Sequence, residues 1–587
     1  MTVARVVVDS PLPQLDRLFD YAIPDALADE VAAGVRVRVP VRAQGRTMDG
    51  YVVELAETSD YQGRLAEIDA VVSPVPVLDP AVWRLARRIA DRAAGVASDV
   101  LRLAIPKRRA RVESAFHTTA LSVVGAMPVA RYPEAVAEAD RIVLRVIPEP
   151  AAWARTIVEL ASGVLAAGDS VIVVLPDQRD IERLLAVAAL VLPPDRLVRL
   201  DAGQSDAERY RSFLRARLEP GVLIVGSRAA VLAPAQRLGL LIVWDDGDPM
   251  LHEPHAPGVH ARDVALVRQE LSGCRLVLAA HAPSVEAERL VELGYCRRIE
   301  PAGRPPRVVP TALQTGDAGP AQQARIPSTA WRAASEALRD GPVLLQVSRP
   351  GDEAAIGTER TAADLGRAFP RARIIVADAA HPVAEVGSQP AIVVATRGAE
   401  PVAPDGYRAV LLLDGERMLA RESLRVAEDY VRTAANAIAL AAPGSPVYLA
   451  GVGGRIARAF TTWRLDELAR EELAERTAAR MPPAVRTATL LGAPAAVEAA
   501  ITAAGIAHDD VIAPVRLEDG QLRSVIRFDY RRGAEVAAAL RTEILRHAAG
   551  RGARRGGRAV VGLRVRFDDP LLFGAEPMRR GAATGPA

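Results

Sequence analysis

The chain has 587 residues, half of them apolar and a quarter charged, with a formal net charge of +2. That length is too great for one hydrophobic core, so three or four domains are expected, and so small a net charge confines any nucleic-acid surface to local patches. Two cysteines, Cys274 and Cys296, cannot make a disulfide framework or fill a tetrahedral zinc site; with no membrane-length apolar run and no charged-then-apolar leader, a cytoplasmic home is expected.

Residues 1–105 open with β-rich segments, "VARVVV" and "GVRVRVPV", whose alternating valines and arginines fit a half-buried strand over 35–39. A helix is expected from Pro80 to Ala94, with Val82, Leu85, Ala86 and Ile89 on one face. The segment 102–113 carries Arg102, Lys107, Arg108, Arg109 and Arg111 ahead of its first acid, Glu113, and reads as a basic linker, with 106–140 as a whole expected to be linker or remnant. Lys107 is the only lysine among the 74 basic residues, so any chemistry that needs a lysine must use it or do without.

From 141 short apolar runs alternate with helical stretches. Strands are expected at 141–147, 170–176, 221–226, 238–244 and 275–280, and again at 342–347, 373–377, 391–396, 409–413 and 446–450. Runs apolar on both sides, with helices between them, argue for two parallel sheets covered on both faces, lobes at 141–300 and 328–455. A Pro- and Gly-rich linker is expected at 301–327 and a small α+β domain over 456–575, with strands at 523–528 and 561–567. The stretch 550–558, with Arg551, Arg554, Arg555 and Arg558, is expected to be a flexible basic loop, and 576–587 a disordered tail.

Strings along nearly the whole chain resemble the primosomal protein N′ (PriA) replication-restart helicase family, in that family's order. They are "VARVVVDSPLPQLDRLFDYAIP" at the start, "AGQSDAERYRSFLRAR" and "VLIVGSRAAVLAPAQRLGLLIV" before the acidic box, "GVHARDVALVR", "GTERTAADLGRAFP", "ELAERTAARMPP" and "FDDPLLF". The resemblance implies a β-rich N-terminal DNA-binding domain, two RecA-like helicase lobes and a small C-terminal α+β domain.

Against that family the catalytic positions are altered one by one. A nucleotide-hydrolysing lobe needs a glycine-rich loop whose amides cradle phosphate, and a lysine. Here the loop is Val146-Ile147-Pro148-Glu149-Pro150-Ala151-Ala152-Trp153, and ungapped matching puts Trp153 at the lysine position. The family's acidic box has become Trp244-Asp245-Asp246-Gly247, with Trp244 at the metal-binding aspartate and Asp245 at the catalytic glutamate. The Ser-Ala-Thr-Pro string has become Ala280-His281-Ala282-Pro283, and the two arginine-finger positions are Leu440 and Pro443. The paired CxxC zinc insert is missing from "SRPGDEAAIGTER", and His252, His255 and His260 are too irregularly spaced to replace it. No ATP, magnesium or zinc is therefore expected, although the resemblance implies all three.

The resemblance also implies a pocket for the 3′ end of a DNA strand, with Phe19-Asp20-Tyr21 as its hallmark. Arg42 and Asp69 stand where the family has a glycine and a lysine. Arg102, Lys107, Arg108, Arg109 and Arg111 are candidates for the DNA backbone. The leading expectation is a non-catalytic DNA-binding protein of replication restart, acting at branched DNA or forks with other primosome or replisome proteins, single-strand-binding protein and replicative helicase among them. The alternatives are a purely structural replisome-docking protein and an ATP-dependent 3′-to-5′ helicase. The helicase would need phosphate contacts from Arg145 or Arg155 and magnesium on Asp245 or Asp246.

Overall fold

The structure, a computed structural model, describes residues 2–41, 45–129, 131, 140–301, 303, 305–311, 325–349, 358–369, 372–550, 562–570 and 572. Arg42, the arginines at 551–558 and the tail 576–587 lie outside the described residues.

The N-terminal strands β1 (Val3–Val8), β2 (Leu18–Ala22), β3 (Arg36–Val41), β4 (Arg46–Ala56), β5 (Ala66–Glu67) and β6 (Ala70–Ser73) form one sheet in the order β5-β2-β1-β4-β3-β6. The alternation in β3 works as its sequence implies: Val37, Val39 and Val41 are buried and Arg38 is exposed. Helix Pro80–Arg92 starts at Asp79, whose side chain accepts from the Ala81 amide, and buries the expected face. That helix and the next, Ala97–Ala104, share one apolar core with Val7, Tyr51 and the first lobe's Val264 and Val267.

The first lobe is a seven-stranded parallel sheet, order β13-β7-β12-β11-β8-β10-β9. Its strands are β7 (Arg141–Arg145), β8 (Ser170–Val174), β9 (Leu197–Leu200), β10 (Leu223–Gly226), β11 (Leu238–Trp244), β12 (Arg275–Ala280) and β13 (Arg297–Ile299). Ile172, Val174, Leu241 and Val243 face one core, whereas Val171, Val173, Leu240 and Ile242 face the other, which is why these strands read as unbroken apolar runs. The second lobe repeats this in a six-stranded parallel sheet, order β14-β19-β18-β15-β17-β16. It comprises β14 (Val308–Pro310), β15 (Val343–Val347), β16 (Arg373–Ala377), β17 (Ala391–Thr396), β18 (Ala409–Leu412) and β19 (Val447–Leu449). An antiparallel sheet, β21-β22-β20-β23, closes the chain, built of β20 (Arg486–Gly492), β21 (Val511–Arg516), β22 (Leu522–Phe528) and β23 (Arg564–Phe567). Its core includes Ala93 and Ala94, and Arg541 from its last helix reaches Asp16, so the C-terminal domain sits on the N-terminal one.

Two expectations need correction. The 301–327 stretch is not linker throughout, because Val308–Pro310 is an edge strand paired with β19. The basic segment after 102 is docked rather than a tether: helix Ala97–Ala104 contains Arg102, and Ala110–Ser114 is a further helical turn. Among the described residues, no helix is long and apolar enough to cross a membrane.

Candidate interlobe site and DNA-binding surface

Amides of the loop between β7 and helix Ala152–Ala166 are taken up inside the protein. Val146 donates to Ala280 O at 2.8 Å, Glu149 to Ile147 O at 3.0 Å and Ala152 to Glu149 O at 3.1 Å, while Pro148 and Pro150 have no amide to give. Ala151 turns the chain into the helix at a left-handed φ of 55°, and Glu149 pairs with Arg131 at 2.8 Å. Trp153 is buried in the helix's first turn and stacks on Trp244, with ring centroids 4.8 Å apart and planes at 18°. His281 meets the edge of Trp244 at 5.1 Å. Its Nδ1 lies 3.0 Å from Val146 O, and burial lowers its pKa to about 4, so near pH 7 it is a neutral ring donating to that carbonyl. Three altered positions far apart in sequence thus meet as one aromatic stack, Trp153–Trp244–His281, at the C-terminal ends of the parallel strands.

Next to the stack, Asp245 takes a left-handed φ of 52° and turns toward the second lobe. Its Oδ2 accepts from Arg432 Nη1 and from Asn436 Nδ2, both at 2.8 Å. Arg432 also donates to Asp248 Oδ2 at 2.7 Å. Burial opposes the Arg432 charge, but the neighbouring carboxylates outweigh it and hold the pKa above the ordinary arginine value. Asp246 turns the other way, accepting from Ser284 Oγ at 2.6 Å and Arg262 Nη1 at 3.3 Å, and desolvation lifts its pKa to about 6. Further ties cross between the lobes: Arg425 Nη1 to Glu286 at 3.2 Å, the Val285 amide to Glu428 at 3.1 Å, and Arg145 at 2.8 Å to O of Trp463, which packs in the second lobe's core although the expected C-terminal domain begins at 456. Helix Val426–Ile438 ends before Leu440 and Pro443; Leu440 lines the cleft, whereas Pro443 is exposed. A cavity of about 300 Å³ remains, bordered by the aromatic stack, Arg432 and Asp180.

Arg145 is also paired with Glu300, and Arg155 donates to Pro150 O at 3.1 Å. Neither arginine is held ready for phosphate. The sequence reading missed Arg432, Asn436 and Asp248, because the pairing crosses nearly two hundred residues of chain and no local pattern announces it. His252 is buried and His260 half-buried, and desolvation depresses both pKa values, that of His252 to about 4. Among the described residues, no group of three His, Cys, Asp or Glu side chains has metal-binding geometry.

In the N-terminal sheet the pleat of β2 separates the hallmark residues. Phe19 and Tyr21 pack toward the apolar core, and the Tyr21 hydroxyl donates to Pro40 O at 3.1 Å. Asp20 lies on the opposite face, where it accepts from Ser59 Oγ at 2.5 Å and sits 3.7 Å from Arg5 Nε. Arg17 covers the Phe19 ring at 4.7 Å. Of the basic cluster, Arg102 pairs with Asp9 at 2.7 Å and Asp99 at 2.9 Å, and Arg109 pairs with Asp206. Arg108 pairs at 2.8 Å with Glu113, which also accepts from Ser73 and Tyr210. Burial pushes the Glu113 pKa up, but these hydrogen bonds outweigh it and hold it below the usual value. Glu113 therefore staples the N-terminal domain to the first lobe, and only Lys107 and Arg111 of the cluster lack an ion pair with any described residue.

Known proteins match this chain at both ends and along most of its length. A family model described as the 3′DNA-binding domain (3′BD) matches residues 5–106, and one described as the primosomal protein N C-terminal domain matches 477–571. A "Probable replication restart protein PriA" of Mycobacterium tuberculosis is 35% identical over 635 residues, covering 91% of this chain and 96% of its own. The chain belongs to the PriA replication restart family. A PriA of Mycobacterium leprae is 34% identical over the same share of each chain, and one of Treponema pallidum 27% identical over 52% of this chain and 48% of its own. Among solved structures, RecG bound to a three-way DNA junction covers 67% of this chain and 51% of its own, with 11% identity and a TM-score of 0.36. The 3′BD match includes Asp20 and Arg102 and ends before Lys107, Arg108, Arg109 and Arg111.

Proposed function

We propose that this PriA-family chain is a DNA-binding protein of replication restart that keeps the helicase body as a scaffold and does not hydrolyse ATP. The observation that carries the reading is the aromatic stack of Trp153, Trp244 and His281. It fills the positions where the family would hold phosphate and metal, and it offers neither a cation for a triphosphate nor an oxygen for magnesium. Arginines line the cavity beside it, Arg179 and Arg183 among them, but the glycine-rich cradle and the lysine that would seat a magnesium nucleotide are replaced. Asp245, at the position of the catalytic glutamate, is already taken by Arg432 and Asn436. Nothing in the finger segment supplies a positive charge, since Leu440 and Pro443 stand there.

On this reading the lobes are tied by Arg432 and Arg425 rather than by nucleotide, and the terminal domains bind a branched DNA or fork and present it to other replisome proteins. The test measures ATP turnover and fluorescent-nucleotide binding by the full chain, with and without forked DNA. No DNA-stimulated turnover and no binding at millimolar nucleotide are expected. Turnover that rises with DNA and disappears in Asp245→Ala would sink the proposal. Trp153→Lys alone should stay inactive, because positioning, metal and charge stabilisation act as a unit.

A further inference from the structure

Helix Pro80–Arg92 presents Arg84, Arg88 and Arg92 at i, i+4 and i+8, a single exposed stripe. None of the three makes an ion pair with any described residue. The next arginine on the same helix shows the contrast: Arg87 holds Asp16 at 2.7 Å and Asp91 at 2.8 Å. Each step along the stripe rises about 6 Å, so the three guanidiniums span roughly 12 Å. That spacing suits successive contacts along a nucleic-acid backbone.

The stripe ends at a cavity. Arg92 lines an opening of about 430 Å³ where four parts of the molecule meet, with Val264 from the first lobe, Leu424 from the second and Phe567 from the C-terminal domain. Inside it, the Arg289 guanidinium lies 3.8 Å from the centroid of the Tyr530 ring, which is 41% exposed. Arg289 also lacks an ion pair among the described residues. Six carboxylates share the wall with six arginines, and the pairs there include Asp568 with Arg486 at 2.8 Å and Glu286 with Arg425. A planar cation over an aromatic ring is a surface on which a base can stack, and the volume suits a nucleotide rather than a duplex.

We propose that Arg84, Arg88 and Arg92 form a phosphate track that leads one DNA strand into this cavity, where a base stacks on the Arg289–Tyr530 pair. The proposal rests on the DNA-binding reading above and adds to it a site and a strand. It is tested with the full chain and a fluorescent oligodeoxythymidylate by anisotropy over a series of KCl concentrations. The triple variant Arg84→Gln, Arg88→Gln, Arg92→Gln should bind at least tenfold more weakly at low salt and lower the salt slope by about 2, since each single-strand phosphate contact contributes about 0.7. The corresponding triple lysine variant should restore most of both. An oligonucleotide carrying 5-iododeoxyuridine should photocrosslink to Tyr530, and less so in Arg289→Ala.

If the wild type binds a fork but the glutamine variant keeps the wild-type slope, the track is wrong and the DNA-binding reading stands. A slope that falls for duplex alone overturns the assignment to a single strand. Failure of the wild type to bind either DNA takes both readings down. Because the three side chains are exposed, the variant should melt with the wild type; if it does not, Arg88→Gln alone must lower the slope by a fraction of a unit, or the proposal fails.

Discussion

The interlobe cleft and helix Pro80–Arg92 treat their charges in opposite ways. In the cleft the carboxylates of the altered acidic box and of Asp248 just after it have internal partners: Asp245 and Asp248 hold Arg432, and Asp246 holds Ser284 and Arg262. On the helix three exposed arginines in a row have no ion pair among the described residues. Leaving a buried charge unpaired is costly, so a site without an external ligand must be filled from within. An exposed arginine carries no such penalty and stays available. The difference separates a surface built for intramolecular closure from one left open to a polyanion.

The most direct way to break the comparison is to remove the latch. Arg432→Ala leaves Asp245 and Asp248 facing each other in a desolvated cleft, and breaking a buried pair in this way costs about 3–5 kcal/mol. The lobes should separate, read as a lower midpoint for the first unfolding transition and a larger radius of gyration by X-ray scattering. An unchanged radius would mean that Arg425 and Glu286 hold the lobes without Arg432. Adding Asp245→Asn and Asp248→Asn should recover part of the loss, because the stranded charges are then gone.

A smaller effect comes from His281 and sharpens the cleft half of the comparison. Its pKa falls from 6.5 to about 4 on burial, so the folded state favours the neutral ring. Stability from this group is full above pH 6.5 and is lost as pH falls through 4, because the unfolded chain takes up the proton first. The difference in stability between wild type and His281→Phe should therefore shift against the wild type on acidification, approaching about 3 kcal/mol. Asp246, whose pKa is raised to about 6, works in the opposite sense, but it is common to both proteins and cancels in the difference. Parallel acid-unfolding curves would show that the ring is not held neutral.

Much of this architecture was legible in the sequence for a plain reason. Strands buried on both faces must be apolar throughout, so Val171 to Val174 and Leu240 to Val243 announce themselves. The short edge strand Val308–Pro310 did not, because an edge needs only three residues and sits in a Pro- and Gly-rich stretch. The altered loop and acidic box could be read position by position, yet nothing local says that Trp153 and Trp244 stack or that Arg432 completes the box. Those facts belong to tertiary pairing. The basic segment failed in the other direction: charge counted along the chain ignores Asp9, Asp99 and Asp206, which fold back onto Arg102 and Arg109.

The smallest expected effect concerns Asp20, on the open side of the comparison. Its carboxylate is held by Ser59 at 2.5 Å with Arg5 close by, and Arg5 keeps a second partner in Glu54 at 2.6 Å. Removing Asp20 should therefore change stability by less than about 1 kcal/mol, as for other half-exposed pairs. Its influence on DNA should be equally selective. A carboxylate adds nothing to phosphate attraction but can accept from a terminal hydroxyl, so Asp20→Ala should leave duplex affinity and salt slope unchanged. What it should remove is any preference for a fork ending in a 3′ hydroxyl over one ending in a 3′ phosphate, measured side by side by anisotropy. Phe19 and Tyr21 pack toward the core, so on the Asp20 face of the sheet the groups at hand are Asp20, Ser59 and Arg5. Ser59→Ala, which frees the carboxylate without removing it, should keep the preference. Loss of the preference in Ser59→Ala as well would assign it to the pair rather than to the acid alone, and a wild type indifferent to the 3′ group would leave phosphate contacts as the only DNA recognition on this sheet.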